Sequence, residues 1–275
     1  MELQAAEKVE SAMIESNGAQ AVVAIEDMAI TFESKRGQVP ALQDIDLLVQ
    51  AGEFLAIAGP SGCGKSTLLK AVAGLTTPSR GTVRLNGDLV TAPRQDIGYV
   101  FQRAALLDWR NVRGNILLQA EMRGMDMKRA QRKADELIEM TGLAGFEKAM
   151  PHELSGGMQQ RVSLCRALLH EPKVLLMDEP FGALDALTRE KMNVELNRIW
   201  QETGATVLLV THSVAEAVYL ASRVVVMSSR PGTIVEEHRV ALPGLRDYGE
   251  TMDTPEFHRV SSRVRELLGS SSDAD

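Results

Sequence analysis

Apolar positions along the chain change period several times, and each change predicts a different kind of element. From Val22 to about Phe101 the period is two: Ile45, Leu47 and Val49 alternate with polar positions, and Val83-Arg84-Leu85 runs into the turn pair Asn86-Gly87. This stretch is read as short strands and hairpins, an antiparallel β-subdomain. Unbroken apolar runs, Phe54-Leu55-Ala56-Ile57-Ala58 and Val174-Leu175-Leu176-Met177, predict buried strands, the second of them a central strand of a parallel sheet, buried on both faces. Thr206–Thr211 and the run starting at Val224 continue that sheet. Between about Arg103 and His170 the spacing lengthens to three and four, as at Ala130, Ala134, Leu137 and Ile138, and predicts helices. The tail places Phe257, Val260, Val264, Leu267 and Leu268 on one helical stripe, expected to pack on the domain it follows. The fold class is therefore α/β: a parallel-sheet core, an N-terminal antiparallel β-subdomain and an inserted α-helical subdomain. The expected boundaries are a polar, frayed tail over 1–20, a main domain over 21–240 with its helical subdomain at about 103–170, and a C-terminal extension over 241–275 with a short amphipathic helix.

Chemistry enters where the buried strands end. Gly59-Pro60-Ser61-Gly62-Cys63-Gly64-Lys65-Ser66-Thr67 fits G-x-x-x-x-G-K-[ST], between the Phe54–Ala58 strand and a helical run from Thr67 to Ala73. Glycines let the backbone aim several N–H groups at one phosphate, and the helix N-terminus adds partial positive charge. In such a loop, Lys65 reaches the β- and γ-phosphates and the Ser66 hydroxyl is a Mg²⁺ ligand, so ATP and Mg²⁺ are expected. Asp178 and Glu179 follow Val174–Met177, at the strand end where open α/β sheets hold ligands. Asp178 fits a metal-holding role, usually through water, and Glu179 fits the base that polarises an attacking water. An acidic turn after a strand is the plainer reading of that pair alone; the upstream phosphate loop decides against it.

Leu154-Ser155-Gly156-Gly157-Met158-Gln159, followed by Gln160-Arg161, opens a helical run through Val162, Leu164 and Leu168, with Ser155 as a reasonable N-cap. This string resembles the signature of ATP-binding cassette (ABC) proteins. The rest of that family's set follows in order: Gln102 after Ile97–Phe101 matches the Q-loop, Asp185 the D-loop and His212 the switch histidine. The resemblance spans roughly residues 22–240 and identifies the core as a P-loop NTPase of the ABC ATPase type. It implies a head-to-tail homodimer in which Ser155 and Gly157 of one subunit meet the γ-phosphate held by Lys65 of the other. It also implies Glu179, His212 and Gln102 as catalytic residues, and Ser66, Gln102 and Asp178 as holders of Mg²⁺. Phe32 stands where the family has an adenine-stacking aromatic; a core Phe at a strand end is the alternative. Leu106, Leu107 and Trp109 lie where the family receives a coupling helix of a transmembrane permease, against a plain core-packing reading for Leu and Trp.

Composition narrows the setting. No apolar run approaches the ~18 residues of a membrane span and no signal-peptide pattern follows Met1, so a membrane role has to come through a partner. A net charge of −7 argues against nucleic acid as partner. Two cysteines make no disulfide or metal framework; Cys63 sits in the phosphate loop, where alkylation is expected to block ATP. Ala104–Trp109, Met177–Arg189 and Ser229–Glu237 further resemble ATPase subunits of bacterial importers for nitrate, sulfonates and taurine. That resemblance implies a peripheral position on the cytoplasmic face of the inner membrane and, indirectly, a solute-binding protein. Asp108 and Arg103 depart from the usual wording there. A soluble ABC ATPase and a small-molecule P-loop kinase remain as other classes.

Overall fold

The computed structural model describes residues 21–34, 37–182 and 184–270. The tail expected over 1–20 lies outside them, as does Ala183 of the D-loop string.

Alternation produces the first sheet. Strands β1 (Ala21–Ser34) and β2 (Gly37–Gln50) pair antiparallel, and β1 pairs on its other edge with β4 (Arg80–Leu85), which turns into the two-residue β5 (Asp88–Leu89). Asn86 and Gly87 both have positive φ, the conformation a two-residue hairpin needs to match strand twist. The four-stranded order is β2-β1-β4-β5.

The apolar runs produce the second sheet. Strands β3 (Phe54–Ala58), β6 (Ile97–Val100), β7 (Val174–Asp178), β8 (Thr206–Thr211) and β9 (Arg223–Met227) run parallel, with β10 (Ile234–Arg239) antiparallel at one edge, in the order β10-β9-β3-β8-β7-β6. Every residue of β3, β7 and β8 is buried. Two strands inside the stretch read as antiparallel, β3 and β6, belong to this sheet. Alternate positions along its strands feed two cores. Phe54, Ala56, Leu175, Met177, Val207 and Leu209 face one; Leu55, Ile57, Val174, Leu176, Leu208 and Val210 face the other. The second core is shared with the antiparallel sheet and with helix α1 (Lys65–Val72) through Leu68, Leu69 and Val72.

Helices cover the first face. These are α2 (Val112–Arg123), α3 (Met127–Met140), α4 (Gly156–Leu168), α5 (Ala186–Thr203), α6 (Val214–Leu220), α7 (Tyr248–Met252) and α8 (Pro255–Ser270). The buried residues of α3 are Ala130, Ala134, Leu137 and Ile138, the four picked out by spacing. Helix starts are set by short polar side chains: Asn111, Asp126, Ser155, Asp185 and Ser213 each accept from a backbone N–H one turn in. In α8, Phe257, Val260 and Val264 are buried in the same core as α6, with Leu267 and Leu268 packed against it.

Candidate nucleotide site

Four neighbouring parallel strands, β3, β8, β7 and β6, end on the same edge of the sheet. The phosphate loop follows β3, His212 follows β8, Asp178 and Glu179 close β7, and Gln102 follows β6. Sequence-distant motifs therefore meet because their strands are adjacent. An open cleft of about 590 Å³ lies there, lined by Phe32, Ala41, Ser61, Gly62, Gly64, Lys65, Ser66, Thr67, Gln102, Glu179, His212 and Arg230.

Lys65 is 6% exposed, and its ammonium donates to the carbonyls of Gly59 at 2.7 Å and Pro60 at 2.8 Å. Among the described residues no carboxylate pairs with it. A buried cation satisfied only by neutral groups of its own loop fits an anionic ligand beside it. Gly64 (φ 106°) starts α1 in the left-handed region, and a Cβ there would stand 2.6 Å from Leu42 Cδ2 and 2.9 Å from the Ala41 carbonyl. The loop is thus seated directly on β2.

Ser66 Oγ donates to Asp178 Oδ1 at 2.7 Å. Burial pushes the Asp178 carboxyl above its ordinary range, opposed by the Ser66 hydroxyl and reinforced by the Glu179 charge. One hydroxyl and one carboxylate make too small a donor set to cage a cation, and among the described residues no cluster of three metal-ligating side chains exists. The pair fits Mg²⁺, which keeps waters and shares substrate oxygens.

Glu179 is the meeting point of the other two strand ends. Its Oε2 accepts from Gln102 Nε2 at 3.1 Å and lies 3.3 Å from His212 Nδ1. Gln102, expected as a metal ligand and a catalytic residue, lines the cleft with its amide turned to that carboxylate. The Phe32 ring is 43% exposed at the cleft, so this is not a core Phe. The Cys63 thiol is 1% exposed, beneath the Gly59 backbone, and an alkylating reagent has no approach to it in this arrangement.

The signature string does not line the cleft. Ser155 is exposed and caps α4 by accepting from Met158 N at 3.3 Å, Leu154 is buried, and Gln159 donates to the Pro151 carbonyl at 2.9 Å. A Cβ on Gly157 would stand 2.6 Å from Leu184 Cδ2, so the signature backbone packs closely on the Leu184 side chain. Asp185 caps α5 through Thr188 N at 3.0 Å, and Gly156 and Met158 begin α4.

In the loop after Gln102, Ala104 is buried, Leu106 is half-buried against the core, Leu107 is half-buried and Trp109 is 73% exposed. The core reading fails for Trp109. Polar side chains hold this loop from beneath. Buried Asn115 accepts from Leu107 N at 2.8 Å and donates to the Arg110 carbonyl at 2.8 Å, Arg166 donates to the carbonyls of Ala104 and Ala105, and Gln160 of α4 donates to the Phe101 carbonyl at 2.9 Å. Sequence reading missed these braces, along with Ala41 and Arg230; only the position of Gln160 beside the signature pointed toward any of them.

Behind His212 sits a buried carboxyl. Thr211 Oγ1 donates to Glu216 Oε2, and Ser213 Oγ accepts from Glu216 N at 3.3 Å, fixing the turn that carries the histidine. Burial pushes the Glu216 carboxyl up to about 7 from an ordinary 4.5, opposed first by the Thr211 hydrogen bond and then by the Arg189 and His212 charges. With the folded value above the unfolded one, the unfolded chain releases the proton first as pH rises. The stability tied to the protonated group is full below about 4.5 and is lost as pH rises through about 7. Glu216→Gln keeps an acceptor for Thr211 and removes the titration. Its melting temperature is expected to fall less than that of the wild type between acidic and mildly alkaline buffer; parallel melting curves would reject the assignment.

Comparisons with known proteins converge. The ABC transporter family profile matches residues 42–182. The chain is 43% identical over 264 residues to the taurine import ATP-binding protein TauB of Roseobacter denitrificans, covering 92% of this chain and 98% of that protein. It is 45% identical over 249 residues to the nitrate import ATP-binding protein NrtD of Synechocystis sp., covering 89% and 94%. Its structure is similar to the dimeric bacterial ABC transporter cassette MJ0796, at a TM-score of 0.73 and 31% identity over 82% of this chain and 99% of that one.

Proposed function

The chain belongs to the ABC transporter family, and we propose that it is the ATP-hydrolysing subunit of an importer for a small polar solute of the nitrate, sulfonate or taurine class. The observation that carries this reading is the convergence of Lys65, the Ser66–Asp178 pair and the Gln102–Glu179–His212 group on one cleft. In this reading Phe32 stacks on the adenine, and loop N–H groups from Gly59 to Thr67 and the Lys65 ammonium hold the β- and γ-phosphates. Ser66, Asp178 and Gln102 hold Mg²⁺, which when bound neutralises charge on the phosphate oxygens. Glu179 takes the proton of the attacking water as its oxygen bonds to the γ-phosphorus and the bond to the bridging oxygen breaks. The products are ADP and phosphate. His212 positions Glu179 and the water and donates to the charge that develops.

The cleft of one chain is lined by none of its own signature residues, and the Ser155 cap of α4 is exposed. A head-to-tail homodimer supplies what is missing: the partner subunit's signature string reaches the phosphate across the interface, with Asp185 near the seam. MJ0796 being known as a dimeric cassette supports this assembly.

Among the described residues no helix is long and apolar enough to cross a membrane, so solute passage is assigned to separate permease subunits, with this chain peripheral on their cytoplasmic side. The exposed Trp109, with Leu106 and Leu107, is the docking surface for a permease coupling helix; the braces from Asn115 and Arg166 let that loop transmit force. A solute-binding protein would deliver cargo to the permease from the far side. Purifying tagged chain from gently solubilised native membranes tests the reading. A polytopic permease is expected with the wild type and is expected to be lost with Trp109→Ala, while ATP still binds. Soluble partners alone would favour an ABC ATPase without a transport role.

A further inference from the structure

Two residues line the nucleotide cleft without any site role expected of them, Ala41 and Arg230. Arg230 stands on a turn between β9 and β10 that is unusually well held. Ser228 N donates to the Thr233 carbonyl and Thr233 N to Ser228 Oγ, both at 3.0 Å, and Ser228 Oγ meets Thr233 Oγ1 at 2.9 Å. Outside the turn, Gly232 N donates to the Ala41 carbonyl and Gln43 N to the Gly232 carbonyl, each at 3.0 Å. The turn is therefore stitched to β2, and its Gly232 lies on the phosphate-loop backbone at Cys63.

The guanidinium this frame presents is half committed. Arg230 Nε donates to the Pro40 carbonyl at 3.0 Å, which fixes the side chain against β2. Among the described residues its two terminal nitrogens have no hydrogen-bond partner and the group has no ion pair. Position along the cleft says which part of a ligand it meets. Lys65, Asp178 and Glu179 mark the terminal-phosphate end. Pro40 pairs with Thr31 and Val39 with Phe32 across the β1–β2 ladder, so Arg230 is anchored at the Phe32 end.

We propose that Arg230 is a nucleotide-contact residue that grips the nucleoside end of the bound nucleotide, its planar fork bearing on base and ribose beside the Phe32 ring. This rests on the ATP-binding reading above. A guanidinium suits the task because it stacks on π-systems, stays charged and keeps free donors while one nitrogen holds its anchor.

Calorimetric titration of the full chain with Mg·ADP and with Mg·tripolyphosphate tests it, since only the first ligand has a nucleoside. Arg230→Ala is expected to weaken ADP about 3- to 20-fold and to leave tripolyphosphate within about twofold. Retained tripolyphosphate binding shows that the phosphate loop is intact. Arg230→Lys, the variant to use should alanine disturb the turn, keeps the charge and loses the fork; it is expected to lose part of the ADP affinity and none of the tripolyphosphate affinity. Unchanged ADP affinity in both variants overturns the proposal. Equal weakening of both ligands also overturns it, since the side chain would then be acting on the phosphates. A wild-type chain that binds neither ligand sinks the ATP-binding reading itself.

Discussion

Replacing Glu179 by Gln is expected to lower ATP turnover at least about a hundredfold, the scale of a lost general base, while ATP-bound chains accumulate as a dimer. The geometry separates these effects. In the proposed reading Lys65, Ser66 and Asp178 hold the nucleotide without help from Glu179, so binding and closure are expected to survive. Among the described residues Gln102 Nε2 and His212 Nδ1 converge on the Glu179 carboxylate, at 3.1 and 3.3 Å, which is why the proton-accepting role is proposed for it. Glu179 also sits in left-handed backbone (φ 48°), a conformation that costs of order 1 kcal/mol for a residue with a Cβ. Gln carries the same backbone cost as Glu, so the substitution changes the proton acceptor and little else. Steady-state phosphate release and size-exclusion chromatography with ATP give the two readouts. Brisk hydrolysis by the variant, or a variant that stays monomeric with ATP, would overturn the assignment.

What the sequence revealed and what it hid divide along a physical line. The Phe54–Ala58 and Val174–Met177 runs were legible as buried strands because burial on both faces leaves no polar position to misread. The phosphate loop, the signature and the D-loop could be picked out as strings because each is contiguous. Partnership between sheets was not: nothing local tells Ile97–Val100 to pair with β7 rather than with the hairpins before it. The Ala104–Val112 cluster has no periodicity, so Trp109 could not be separated from buried Ala104 and Val112 until the loop had a shape. Side chains whose work is tertiary stayed hidden altogether. Asn115 and Arg166 look like ordinary helix residues until their carbonyl partners in the loop are seen, and Arg230 bonds Pro40 across 190 residues of chain. No local pattern encodes that pairing; it exists because β9 brings the turn beside β2.

The same turn yields the second large effect. A methyl group on Gly232 would stand 2.0 Å from the Cys63 carbonyl oxygen and 2.9 Å from Met227 Cε. The methionine end can move, but the carbonyl belongs to the phosphate loop and cannot retreat without shifting the N–H groups proposed to hold phosphate. Gly232 is not in left-handed backbone, so its intolerance comes from proximity and not from φ. Gly232→Ala is therefore expected to cost about 1–3 kcal/mol in stability, as overpacking does, and to weaken Mg·ADP at least about tenfold, because the strain is relieved inside the binding loop. Gly249→Ala is the matched control: its new methyl would meet only Asp247 Oδ1 at 3.6 Å, in helix α7, where alanine is the better helix former. Thermal melts with and without Mg·ADP separate the terms. Gly232→Ala should melt lower and gain less from ADP, whereas Gly249→Ala should match the wild type in its ADP shift. A Gly232→Ala protein with a wild-type melting temperature and ADP shift would mean that the turn yields and the phosphate loop does not, and the loop's rigidity would have to come from its seat on β2 alone.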